Sequence, residues 1–291
     1  MHESYLQSMK TRASWWQVHE VPSASIQVMR QTASPLDSGR GAVERREFPF
    51  PFLWFQTFSA VPLRPLSKQF YAPTSRMATP EEMLKILQAK GRALNTFHKG
   101  DVIEVDNKMR KGYSYKLDAE PGQDFAPDFK PYSSPGDILA MGAFEGKYLN
   151  DCLTEFPAEW FLRALALNKL SPQKHNVEVN YFKIMSRLPL SEWEKKGWLP
   201  PQKGKRRHKN SLGRDILNDP QNNPDERGWF QWYCRYWMGR RMPELDKVQI
   251  ARWKAFTRHA GAVKKNCKAG DLTCRPKQRQ ALLHWAYDPF I

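Results

Sequence analysis

The pattern of apolar and polar positions changes character near position 78 of the 291-residue chain. Residues 1–77 show little periodicity of either kind. Beyond them, helical spacing recurs. "TPEE", Thr79 to Glu82, has the layout of a capping box, with Thr79 as N-cap, Pro80 in the first turn and Glu82 three residues on. Met83, Leu84, Leu87 and Leu94 then fall near one helical face, and Gly91 is placed to end the helix. "DVIEV" and "YSYKL" alternate as short strands do, and "DNKMRKG" between them predicts a β-hairpin. The Pro-rich stretch 121–137 reads as an extended connection. Ser134-Pro135 opens a short helix that Gly142 closes, and Pro157 starts another, with Trp160, Phe161, Ala164, Leu165 and Leu167 as its apolar stripe. "SEWE" at 191–194 predicts a second capping box, on a short helix ended by Gly197.

Residues 203–224 begin with "KGKRRHKN" and read as an exposed basic loop. The densest pattern follows, "RGWFQWYCRYW" at 227–237. Asp225 as N-cap and Gly239 as C-cap predict a helix over about 226–238. Trp229, Trp232, Tyr233, Tyr236 and Trp237 share one face of it, the spacing of a helix that buries that face. The other use of such a face is a platform on which bases stack. A helix over 244–259 turns Leu245, Gln249, Ile250, Trp253 and Phe256 inward, with Lys247, Arg252, Lys254 and Arg258 adding positive charge around it. The last helix starts near Pro276 and carries Leu282, Leu283, Trp285 and Ala286. The fold class these elements predict is mainly α (α+β). It is a single mostly helical domain over 78–291 with one small β-hairpin, ending in a basic, aromatic-rich helical subdomain at 225–291. Ahead of it lies a disordered or targeting tail, 1–77.

Charge sharpens this picture. The net charge is +16, and residues 201–291 hold 20 of the 46 Lys/Arg but only 8 of the 30 Asp/Glu. Five of the 11 tryptophans lie in the same segment. A localised basic excess beside aromatic residues suits a polyanion. No acid occurs between Glu47 and Glu81, an interval holding Arg64, Lys68 and Arg76 with several hydroxyl residues. That composition fits an organelle transit peptide, a disordered tail, or translation that begins at Met77. Four cysteines are too few for a disulfide framework, so a reduced, intracellular setting is expected, nuclear or organellar rather than secreted. No apolar run of membrane-spanning length exists, and no membrane insertion is expected.

The candidate phosphate contacts are Arg258, Lys264, Lys265, Lys268, Arg275, Lys277 and Arg279, with Lys205, Arg206 and Arg207 in the loop and Arg235 in the aromatic helix. Arg275, Lys277 and Arg279 crowd the first turn of the last helix, where cations oppose the helix dipole unless an anion joins them. "KGKRRHK" has equally the chemistry of a nuclear-import signal. His259, Cys267, Cys274 and His284 suggest a zinc site as an alternative, although the spacing lacks the usual paired cysteines. A disulfide between Cys267 and Cys274 also fits the spacing, against the reduced setting. Cys152 and Cys234 read as small apolar residues. Asp118, Glu145, Lys147 and Asp151 are the candidates for acid–base work, against a plain reading as solvated loop charges. The chain lacks the phosphate-binding glycine loops and the hydrolase signatures, and no cofactor is expected.

Taken together, "GYSYKLD", "FEGKYLNDC…EFPAEWF", "RGWFQWYCRYW" and "CRPKQRQALLHWAYDPF" resemble a family of uncharacterised predicted proteins. The resemblance covers about 110–291, implies one domain there, and carries no activity. The function expected from the residues is DNA or RNA binding by the basic, aromatic-rich C-terminal third. The alternatives are an enzyme acting on nucleic acid through carboxylates of 118–151, and a protein-interaction module using the aromatic face.

Overall fold

Local sequence signals set most of the helix ends. In the computed structural model, which describes residues 78–202 and 205–291, helix α1 spans Pro80–Lys90. Its capping box is complete: Thr79 Oγ1 accepts from the Glu82 amide, and Glu82 accepts from the Thr79 amide. The hairpin follows as β1 (Val102–Val105) and β2 (Tyr113–Lys116), antiparallel, with Ile103 opposite Tyr115. Ser134 caps α2 (Pro135–Met141), and Gly142 ends it with φ +88°. Helix α3 (Ala158–Ala166) packs across α2. The approach is close because Gly136 has no side chain, since a Cβ there would meet the Trp160 ring at 2.6 Å. The later helices are α4 (Leu190–Lys195), α5 (Trp229–Trp237), α6 (Pro243–Ala255), α7 (Thr257–Asn266) and α8 (Pro276–His284). The described residues are thus mostly helical with one two-stranded hairpin. The tail expected over 1–77 lies outside the described residues, as do Lys203 and Gly204 of the basic loop.

Three predicted ends move. Helix α4 starts at Leu190, one residue before the Ser191 expected to cap it, and Pro189 precedes it without a side-chain cap. Helix α5 starts at Trp229, not near 226, because the Asp225 carboxylate is engaged elsewhere. The single helix expected over 244–259 is two, broken at Phe256. The loop 203–224 is less exposed than its composition suggests. Lys205 to Lys209 are exposed, but Asn210, Leu217, Asn218 and Asn223 are buried.

The aromatic stripe of α5 is core. Trp229, Phe230, Trp232, Tyr233 and Tyr236 are buried, each ring contributing roughly 1.5–3 kcal/mol through burial. Phe129, from the Pro-rich connection, is the hub: it meets Trp232, Tyr233, Tyr236 and Trp253 edge-on at 4.9–5.8 Å. Three of the polar tips are also spent inside the fold. Trp232 Nε1 donates to Asp246 (2.8 Å), Tyr233 Oη donates to the Ser133 carbonyl (2.7 Å), and Tyr236 Oη accepts from the Ala126 amide (2.9 Å). These five rings are spent in packing, and of the expected stripe only Trp237 is half-buried. The core is continuous from Met83 to Ala286, so α5 sits in the middle of one domain core.

Candidate anion-binding cleft

Two of the expected phosphate contacts are buried. Arg235 is 0% exposed. Its Nε donates to Glu155 (2.6 Å) and its Nη1 to Asp225 (2.8 Å), while Arg240 forks onto both oxygens of Asp225 at 2.9 and 2.6 Å. Burial alone would raise the Asp225 carboxyl, but Arg240 and then Arg235 hold it below its ordinary value. Arg279 is also 0% exposed and donates to the carbonyls of Cys274, Pro289, Ile291 and Asp271. Neither side chain reaches a ligand. In the loop, Lys205 pairs with Glu194 (2.8 Å) and Arg207 Nε donates to Asn218 (2.9 Å), while Arg206 is exposed without an ion pair among the described residues.

The others remain available. Arg258, Lys264, Lys265, Lys268 and Lys277 are exposed, Arg275 is half-buried, and none has an ion pair among the described residues. Lys264 and Lys265 lie in the last turn of α7, Lys268 just past it, and Arg275 and Lys277 at the start of α8. A Cys267–Cys274 disulfide, Cα–Cα 5.7 Å, holds these two ends together. It overturns both the expectation of reduced thiols there and the alternative zinc site. The two histidines are engaged otherwise. His284 Nε2 accepts the Phe144 amide (3.1 Å), and His259 lies stacked on Phe256. Burial, and then Arg187, pushes the His284 pKa down to about 3, so it stays neutral. Among the described residues no three metal-ligating side chains cluster.

The cleft itself forms around residues that the pattern did not single out. A cavity of about 510 Å³ opens between one face of α8 (Lys277, Ala281, His284, Trp285), the α6–α7 break (Arg252, Phe256, Arg258) and the segments bearing Trp193, Trp198 and Arg214. Its rings are ordered as a ladder. Trp229 stacks on Trp285 at 4.6 Å, and Trp285 on Phe256 at 4.7 Å and 8°. Trp193 comes up against the start of α5 because Gly228, φ +82°, has no side chain, where a Cβ would meet the indole at 2.8 Å. The Ser186 hydroxyl donates to the Lys277 carbonyl and ties the remaining wall to α8.

Among the described residues the cleft is lined by Arg187, Arg214, Arg252, Arg258 and Lys277 and by no carboxylate. Arg252 is the unusual member. It is 8% exposed, its guanidinium donates to Gln249 Oε1 (2.7 Å), and it sits 5.8 and 5.5 Å from the Trp198 and Trp285 ring centres. No acid pairs with it among the described residues. Burial, and then the nearby Arg214, brings its pKa down to about 9. A buried cation without a counter-charge is costly, and an entering anion would relieve that cost. One signal of this was legible. Arg252 lies seven residues after Leu245 and three after Gln249, on the inward face of its helix.

Three of the acid–base candidates do meet. Glu145, Lys147 and Asp151 line a second cavity of about 510 Å³ with His175, Arg187 and Arg227. Its carboxylates are taken up by the protein. Glu145, 2% exposed, accepts from Arg187 (2.6 Å) and Asn180 (3.2 Å), and Asp151 accepts from Arg227 (2.7 Å). They anchor the chain where Phe144 and Glu145 run left-handed at φ +53° and +52°. Asp118 is elsewhere, exposed, accepting the Arg241 amide at 3.3 Å.

Comparison with family models, curated proteins and solved structures returns no match to this chain. Among the described residues no helix is long and apolar enough to cross a membrane.

Proposed function

We propose that this protein binds nucleic acid, DNA or RNA, with one or more nucleotides entering the aromatic, cation-lined cleft. The observation that carries the reading is Arg252: a buried arginine whose guanidinium lies near two indoles, with no acid among the described residues that line the cavity. Phosphate satisfies the cations, and a base face satisfies exposed edges of Trp193, Trp198 or Trp285. The acid-poor ends of α7 and α8, with Lys264, Lys265, Lys268 and Arg275, supply further phosphate contacts outside the cleft. The corresponding setting is nucleus or organelle, and of these an organelle with an oxidising lumen suits the Cys267–Cys274 bridge, since nuclear thiols are kept reduced.

The test is fluorescence anisotropy with a labelled single-stranded oligonucleotide across a salt series. Affinity should fall with salt, with a log–log slope of about −0.7 per phosphate contacted. Trp198→Ala should weaken binding by about 1–3 kcal/mol, the size of one base stack. Binding that ignores both salt and Trp198 rejects the proposal.

A further inference from the structure

We infer that the cleft reads the end of a strand, taking a terminal phosphate onto Arg252 and Arg214; this rests on the nucleic-acid reading above. Access sets the argument. Arg252 is 8% exposed on the cavity wall, so a diester passing along the outer surface cannot reach it. A group that meets it also meets the rings of Trp198 and Trp285, 5.8 and 5.5 Å from the guanidinium. A strand presents such a group only where it stops.

Charge points the same way. Arg214 also lines the cavity, half-buried, and no acid pairs with it among the described residues. It stands near enough to Arg252 to disfavour the second cation. Two adjacent guanidinium groups without an acid match a phosphomonoester, which carries about −1.5 to −2 at neutral pH, better than a diester with a single charge. The cations outside the cleft at the bridged ends of α7 and α8 would then hold the nucleotides that follow.

The experiment compares one oligonucleotide sequence in three forms: a phosphate at one end, a phosphate at the other, and hydroxyls at both. The matching nucleoside monophosphate is a fourth ligand. One phosphorylated form should bind about tenfold to a hundredfold tighter than the hydroxyl form, the factor for one or two charge-assisted hydrogen bonds. Arg252→Gln and, separately, Arg214→Gln should abolish that difference. Lys264→Ala with Lys265→Ala should weaken all three forms alike and leave the difference intact.

Equal affinity for the three forms overturns end recognition while leaving nucleic-acid binding in place. A preference that survives both Arg252→Gln and Arg214→Gln also overturns it. A monophosphate that binds as tightly as the phosphorylated strand makes the ligand a free nucleotide, which again overturns it. Failure of every oligonucleotide to bind removes the nucleic-acid reading itself.

Discussion

Replacing Arg252 with Met should stabilise the ligand-free protein. Met fills much of the same elongated volume and leaves no charge behind. In the native fold Arg252 is 8% exposed, and its guanidinium has one hydrogen bond, to Gln249, and no carboxylate partner among the described residues. A buried charge without a counter-charge costs about 3–5 kcal/mol. The two indoles, at 5.5 and 5.8 Å, return about 0.5–2 kcal/mol of that, and the substitution leaves Gln249 Oε1 without its donor, at about 1 kcal/mol. The net gain expected from Arg252→Met is therefore about 1–2 kcal/mol. For a domain of this size it corresponds to a rise in Tm of about 2–8 °C. The assay is thermal unfolding at neutral pH without nucleic acid, followed by near-ultraviolet circular dichroism. An oligonucleotide should then stabilise the wild type and not the variant. A variant that unfolds below the wild type refutes the reasoning, because Arg252 would then be satisfied within the protein.

Other outcomes follow from the same structure. Asp225→Asn leaves Arg235 and Arg240 without their shared carboxylate and should cost about 3–5 kcal/mol in denaturant unfolding. Because the folded Asp225 pKa lies below its ordinary 3.8, its contribution is complete above that value and lost as pH falls further, so the variant should show a flatter acid limb. For His284, the unfolded chain takes up a proton near the ordinary 6.5, whereas the folded one holds off until about 3. Stability is thus full above 6.5 and drains as pH falls, by about 2 kcal/mol between about pH 7 and 5, and denaturant midpoints for His284→Asn should lack that slope. Alkylation of the denatured, unreduced protein should label Cys152 and Cys234 only, with Cys267 and Cys274 joining after reduction; four labelled cysteines before reduction would contradict the bridge.

What was legible in the sequence was what local chemistry decides. Thr79 with Glu82 and Ser134 with Asp137 close their own boxes within three residues, so the pattern suffices to place their helices. The stripe of α5 was legible as core for the same reason. Long-range partners were not legible. Asp225 looks like an N-cap until Arg235 and Arg240 arrive from the following turns and from beyond the helix. Arg235 and Arg279 look like surface cations because nothing in their neighbourhood names Glu155 or the terminal carbonyls of Pro289 and Ile291. The cleft was the least legible feature. Trp193, Arg214 and Arg252 lie far apart in sequence and meet only through the packing of α4, α5 and the α6–α7 break.

The central claim is that nucleic acid enters the cleft beside Arg252, and photo-crosslinking tests it most directly. A bromouracil-containing single-stranded oligonucleotide is irradiated with the protein, and the adducts are mapped by mass spectrometry. Adducts are expected on Trp193, Trp198, Phe256 or Trp285, lost on competition with unlabelled strand and depleted in Arg252→Gln. Adducts confined to aromatic residues away from the cleft, such as the exposed Tyr132, would contradict it.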